Sequence, residues 1–168
     1  MAAKLRPLKI DDAVISVNWR NDSEIRYNIM GCRFPVSEIT EYEWVENTIK
    51  TQGDKRLVFA IEDIKDNELV GYVYLDKIDW ISGTAWVGVL LGKQAKHRQG
   101  IGKSAVTQII NKAKKDFNLH KILAEIIDFN DISLAFFQSL DFNNEATLKR
   151  HIYLDGNYHD IHIVSKFL

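Results

Sequence analysis

Ala85-Trp86-Val87-Gly88-Val89-Leu90-Leu91 is followed by a basic stretch, Lys93 to Arg98, and then by Gln99-Gly100-Ile101-Gly102-Lys103. An apolar run of strand length, a cationic loop and two glycines ahead of a long periodic segment read as strand, loop and helix. The first amides of a helix lack intrahelical partners and lie at the positive end of its dipole. Glycines there permit positive φ and close backbone approach. With Lys96, Arg98 and Lys103 around the same loop, the segment suits an anion, and a pyrophosphate above all. The plainer alternative is that Gly100 and Gly102 merely let a loop turn into a helix. Two nucleotide motifs are absent. The residue five positions before Gly102 is His97 rather than glycine, so no P-loop is present, and there is no three-glycine dinucleotide fingerprint.

Working outward, Gly102 to Phe117 is the clearest helix, with Ala105, Val106, Ile109, Ile110 and Ala113 on one stripe. Lys112, Lys114 and Lys115 fall near its C-terminal end, where the dipole favours cations. Lys121 to Ile127 reads as the next strand and Asp131 to Leu140 as a short helix. His151 to Leu154 and His159 to Phe167 bracket the turn Asp155-Gly156-Asn157. Upstream, Leu57 to Glu62 and Leu69 to Leu75 form a hairpin pattern across a polar connection. Lys4 to Ile10 reads as a first strand. One helix is capped by Asp11 or Asp12 and runs to about Arg20; another opens at Ser37 or Thr40. The order β-α-α-β-β-β-α-β-α-β-β, with helices directly after two central strands, predicts an α/β fold (α+β on a stricter definition). Its mixed sheet should contain a parallel crossover.

The 168 residues contain no linker, repeat or low-complexity tract, so residues 1–168 are expected to be one domain. A chain of this size buries roughly 70% of its unfolded surface and needs no disulfide or metal to hold a core. Lys and Arg number 22 against 23 Asp and Glu, a balance that argues against a dedicated nucleic-acid binder. The single cysteine, Cys32, excludes an internal disulfide framework and a cysteine zinc cage. Its isolation fits a reducing compartment. No apolar run approaches the roughly 18 residues of a membrane helix, and the N-terminus lacks a secretory core. The expectation is a soluble cytoplasmic protein without membrane or nucleic-acid partners. No metal is assigned, since His159 and His162 point to opposite faces of one strand.

The run His97-Arg98-Gln99-Gly100-Ile101-Gly102-Lys103, the long helix, the strand ending near Asn130, and Ala135 to Phe142 together resemble the GNAT N-acetyltransferase superfamily. The signature of that family is Gln/Arg-x-x-Gly-x-Gly/Ala; here both glycines match, while His97 takes the Gln/Arg position. Leu5-Arg6-Pro7-Leu8 and Asp155 to Asp160 resemble the branch containing ribosomal-protein, spermidine and nucleotide-amino-sugar acetyltransferases. The resemblance implies a centrally splayed sheet and acetyl-coenzyme A as cosubstrate. Val89, Leu90 and Leu91 would meet the pantetheine arm, the amide of Leu90 or Leu91 serving as oxyanion donor. His97, Arg98, Gln99, Gly100, Ile101, Gly102 and Lys103 would surround the pyrophosphate, with Asn130 as a further contact. Phe137 stands where many relatives carry a tyrosine proposed to protonate the departing thiolate, and a phenyl ring has no proton to give.

The resemblance also implies the remaining roles. Glu125 matches a glutamate of some protein-acetylating relatives and is the expected general base; strand alternation instead allows it to face solvent or a lysine on a neighbouring helix. Trp19, Arg20 and Arg26 fall in the region of the acceptor wall, where the alternatives are a core tryptophan and solvated arginines. Glu38 and Glu41 belong to an acidic run that suits a polycation or forms an ordinary exposed helix face. The expected reaction is acetylation of a primary amine, a polyamine or amino sugar, with a protein N-terminus or a non-catalytic acyl-coenzyme A-binding role as alternatives. A homo-oligomer is compatible with either.

Overall fold

The computed structural model describes residues 2–29, 33–93 and 100–168. Cys32, Lys96, His97, Arg98 and Gln99, all singled out above, lie outside the described residues. The elements are β1 (Ala3–Arg6), α1 (Asp12–Asn21), α2 (Ser23–Asn28), α3 (Glu38–Lys50), β2 (Leu57–Asp63), β3 (Leu69–Asp79) and β4 (Thr84–Leu91). They continue with α4 (Ile101–Lys115), β5 (Lys121–Ile127), α5 (Asp131–Gln138), β6 (Asn143–Leu154) and β7 (Asn157–Phe167). Seven strands form one mixed sheet in the order β1-β2-β3-β4-β5-β7-β6.

The crossover β4-α4-β5 makes the one parallel pair among the described strands, as the strand-helix-strand pattern predicts. That pair is short. Thr84, Ala85 and Trp86 face Lys121, Ile122 and Leu123, and the pairing then stops. Beyond it β4 stays with β3 as far as Leu91↔Gly71. Meanwhile β5 stays with β7 as far as Ile127↔Ile161. The sheet therefore splits at its centre.

Alternation along the strands separates two cores. Val73, Leu75, Ala85, Val87, Ile122 and Ala124 pack with the α4 stripe of Ala105, Val106, Ile109, Ile110 and Ala113, all buried. Fully burying an aliphatic side chain stabilises by roughly 1.5–3 kcal/mol, so this stripe accounts for the firm seating of α4. The opposite face carries Val58, Ala60 and Tyr72, which pack with Leu8 and Trp19. Trp44 of α3 closes over that cluster.

Three local expectations need correction. The first strand ends at Arg6 rather than Ile10, because Pro7 follows and cannot donate to the ladder. Asp12 does not cap α1 forward; its carboxylate accepts from the Lys9 amide at 2.8 Å and pairs with Arg6. β6 begins at Asn143, not His151, and bends through register shifts at Asn144/Ala146 and Leu148/Ile152. α2 was not expected at all. It is held by the Asp22 carboxylate, which accepts from the amides of Glu24 (3.0 Å) and Ile25 (3.1 Å). Among the described residues no helix is long and apolar enough to cross a membrane.

Candidate active site

Where β4 and β5 part, a cavity of ≈ 450 Å³ opens on the side of the sheet covered by α1 to α3. β3 contributes Tyr72, Tyr74, Asp76 and Lys77, and β4 contributes Trp86 through Leu90. β5 contributes Glu125, Ile126 and Ile127. Trp19, Arg20 and Trp44 form the roof, while Asn130, Ser133, Phe136 and Phe137 close the α5 end. Of the residues expected at a site, the fold gathers Trp19, Arg20, Val89, Leu90, Glu125, Asn130 and Phe137 around one space.

Glu125 sits on the wall formed by the diverging β5. Its Oε1 accepts from Lys77 Nζ at 3.1 Å, so the lysine it meets comes from β3 rather than from a helix. Lys77 has φ 48, inside the β3 irregularity between Asp76 and Asp79. A bulge commonly re-aims a side chain beside a functional site. Here it brings the ammonium to 4.8 Å from the Trp86 ring as well as to Glu125. Asp76 pairs with Arg56. Burial pushes the Asp76 carboxyl up, but the hydrogen bonds from Arg56 and the Lys77 amide, with both positive charges, outweigh it and hold it low.

The roof is a buried ion pair. Glu41 is completely buried, which corrects the reading of an exposed acidic face. It accepts from Ser16 Oγ at 2.5 Å and faces Arg20 Nη1 at 3.3 Å. Burial raises its carboxyl above the ordinary range, opposed by the Ser16 hydrogen bond and the Arg20 charge. The Arg20 guanidinium lies 5.1 Å from the Trp44 ring centroid. Its own position is thus set from two sides, and Glu41 reaches the cavity only through it.

Phe137 is buried and meets Phe136 and Phe142 edge-on, with centroids 5.2 Å and 5.0 Å away. Asn130 caps α5, its Oδ1 accepting from the Ser133 amide at 3.0 Å. Arg26 and Glu38 are not on this cavity. Arg26 borders a separate depression beside Ile152 and Asp155, with its guanidinium on the Arg33 carbonyl, and Glu38 is exposed at the start of α3. Leu91 does not line this cavity; it packs against the α4-side core beside Gly102, where an added Cβ would come within 3.3 Å of Leu91 Cδ1.

At the far side of the split, Gly100 is the N-cap of α4, with φ 76 and no side-chain cap. The first-turn amides of Ile101, Gly102 and Lys103 therefore have no side chain of the cap residue on them, which fits a phosphoryl group. Lys103 Nζ contacts the Ser139 carbonyl at 3.1 Å.

Sequence reasoning missed Tyr74, Asp76, Lys77, Arg56, Trp44 and Trp86. A signal existed: Tyr72, Tyr74 and Asp76 recur with period two, as do Trp86, Gly88 and Leu90, placing each set on one face.

The sequence that builds this diverging strand pair and uncapped helix start is matched by a family model. Residues 5–163 match an acetyltransferase (GNAT) domain. The chain belongs to the GNAT acetyltransferases. Among curated relatives, the SPbeta prophage-derived uncharacterized N-acetyltransferase YokL of Bacillus subtilis is 27% identical over 157 residues, covering 93% of this chain and 84% of the relative. The uncharacterized N-acetyltransferase p20 of Bacillus licheniformis is 25% identical, over 96% and 90%. In fold, the chain superposes on a Vibrio cholerae spermidine N-acetyltransferase solved with CoA and spermine, with a TM-score of 0.89 and 19% identity over 99% and 95% of the two chains. It superposes equally on RimL, a ribosomal L7/L12 alpha-N-protein acetyltransferase solved with coenzyme A, at 0.89 and 18% identity over 100% and 95%. This GNAT chain is accordingly an acyltransferase, and acetyl-CoA is the cosubstrate of its family.

Proposed function

We propose that this GNAT enzyme acetylates the primary amine of a small molecule bound in the cavity between β4, β5 and the α1–α3 roof. One observation carries the reading: the split of the sheet leads into a space of ≈ 450 Å³ with a carboxylate, Glu125, on its wall. That volume lies in the range of roughly 300–1,000 Å³ typical of small-molecule sites.

Acetyl-CoA supplies an activated acyl group whose carbonyl carbon is open to an amine. The chain's own groups do the rest. The segment His97 to Lys103 holds the pyrophosphate, with the α4 amides as fixed donors. Val89, Leu90 and Leu91 line the pantetheine arm. The amide of Leu90 or Leu91 stabilises the developing oxyanion. Glu125, directly or through one water, takes the amine proton. At neutral pH, deprotonating an alkyl amine of pKa near ~10.4 costs about 4.6 kcal/mol, whereas releasing a thiolate of pKa near ~8.5 costs about 2 kcal/mol. The base thus carries the larger share, and a phenyl ring at Phe137 is tolerable because water can protonate the thiolate.

The test is free-thiol release from acetyl-CoA in the presence of spermidine, amino sugars and short peptides. Amine-dependent release with a small amine is the expected result. Tight acetyl-CoA binding without amine-dependent release from any acceptor would make this a non-catalytic acyl-CoA module, and release with peptides alone would move the acceptor to a protein N-terminus.

A further inference from the structure

Glu125 meets a primary amine in the cavity before any acceptor arrives. Lys77 is the one lysine among the described lining residues, and its Nζ donates to Glu125 Oε1 at 3.1 Å. A general base must lie roughly 2.6–3.2 Å from the group whose proton it takes. The protein's own ammonium meets that requirement.

Several contacts fix it there. Lys77 has φ 48, inside the β3 irregularity between Asp76 and Asp79, a left-handed conformation that residues other than glycine seldom adopt. Its amide donates to Asp76 Oδ1 at 2.9 Å, and Asp76 is in turn paired with Arg56. The ammonium stands 4.8 Å from the centroid of the Trp86 ring. Trp86 and Leu123 form the last pair joining β4 to β5, and Glu125 follows two residues further along β5, where the strands have parted. Lys77 Nζ is therefore held beside the gap that the acetyl-transfer reading assigns to the thioester. A second lysine shows the contrast. Lys50 Nζ lies 2.8 Å from Glu46 on α3, outside the cavity lining, with its side chain 66% exposed against 59% for Lys77. The two ion pairs are alike in distance and exposure and differ in what they face.

We propose that Lys77 is a self-acetylation site, modified by acetyl-CoA bound to the same chain. The inference rests on the acetyl-transfer reading of the same cavity. Glu125 takes a proton from the Nζ ammonium, and the neutral amine attacks the carbonyl carbon of the thioester. The C–N bond forms, the C–S bond breaks and coenzyme A leaves as the thiolate. Nitrogen sheds two protons in all; one ends on the thiolate as the CoA thiol and the other passes to water. The amide product carries no charge, so its pairing with Glu125 and its attraction to Trp86 both lapse. An acceptor amine needs the same position before Glu125, so acceptor and Lys77 compete for the acetyl group.

The full chain is incubated with acetyl-CoA and no added amine, and acetylation of each lysine is followed over time by peptide mass spectrometry. Lys77 is expected to be acetylated about tenfold or more faster than Lys50, because only Lys77 is held beside the bound thioester. Excess CoA, which carries no acetyl group, should slow the reaction at Lys77 and leave Lys50 unaltered. Glu125→Gln should bring Lys77 down to the Lys50 rate. Equal rates at the two lysines, a Lys77 rate indifferent to CoA, or one unchanged in Glu125→Gln would overturn the proposal. Thiol release with added amines while Lys77 stays unmodified defeats self-acetylation alone. Lys77 acetylation without amine-dependent thiol release leaves it standing and defeats the small-amine acceptor instead.

Discussion

Glu125 and Lys77 show what a single contact can decide. At 3.1 Å the lysine keeps the carboxylate oriented toward the split in the sheet, and the backbone of Lys77 accepts φ 48 to reach it. Glu125→Gln keeps the shape and removes the carboxylate proposed as the base. Its kcat is expected to fall by about hundredfold, while calorimetric affinity for acetyl-CoA stays within about twofold. An unchanged kcat would remove Glu125 from the mechanism. Gly88 is constrained by a neighbour rather than by its own backbone, because the Tyr74 ring occupies the volume of a side chain. Gly88→Ala should therefore cost about 1–3 kcal/mol in urea unfolding, and Tyr74→Ala in the same chain should recover most of that loss. Additive losses in the double variant would mean that the two residues do not compete for space.

At the scale of elements, the start of α4 does two things at once. Gly100 takes the left-handed conformation that lets the chain enter the helix, and it leaves the first-turn amides without a side-chain cap. Gly156, in the β6–β7 turn, has a similar φ of 81 and is likewise open within 4 Å. A side chain at either position carries strain of roughly 1–2 kcal/mol. Gly100→Val should in addition weaken acetyl-CoA binding by about tenfold, because the added side chain stands beside those amides. Gly156→Val should leave affinity unaltered. Equal losses of affinity at both positions would show that strain, not the helix start, was responsible.

The elements differ in how far their residues announced them. The α4 stripe and the apolar strands β4 and β5 are buried on the side their periodicity predicts, since a large continuous core rewards a regular pattern. α2 is six residues with no buried side chain, below the length at which a helix is stable alone. Its existence depends on Asp22 capping and on contact with α1. The first half of β6 is an exposed edge with bulges, so its side chains obey no alternation.

Across the whole molecule, Glu41 ties α1 and α3 together beneath the roof of the cavity. Its carboxyl is raised above the ordinary 4.5 by burial. Between that value and the raised one, the folded chain keeps a proton that the unfolded chain has lost. Stability from this group is therefore greatest below the ordinary glutamate range and declines as pH rises through the window. Asp76, paired with Arg56, and Asp128, whose carboxylate accepts from the Asp160 amide at 3.0 Å, are held low and act in the opposite sense, losing their contribution as pH falls below 3.8. From pH 4.5 to neutral, the urea midpoint of the wild type should fall relative to that of Glu41→Gln. Parallel curves for the two proteins would contradict the buried-carboxyl account.

The amino-acid order alone determined the strand that ends at Leu91 and the long helix that begins at Ile101, the mixed α/β class and the family resemblance. These follow from periodicity and local backbone chemistry, which neighbours along the chain settle between themselves. Only the tertiary structure decided that Glu41 is buried, that Lys77 rather than a helical lysine meets Glu125, and that the cavity carboxylates already have cationic partners. Charge pairing joins residues 20 to 50 positions apart, and no local pattern encodes which side chain arrives opposite which.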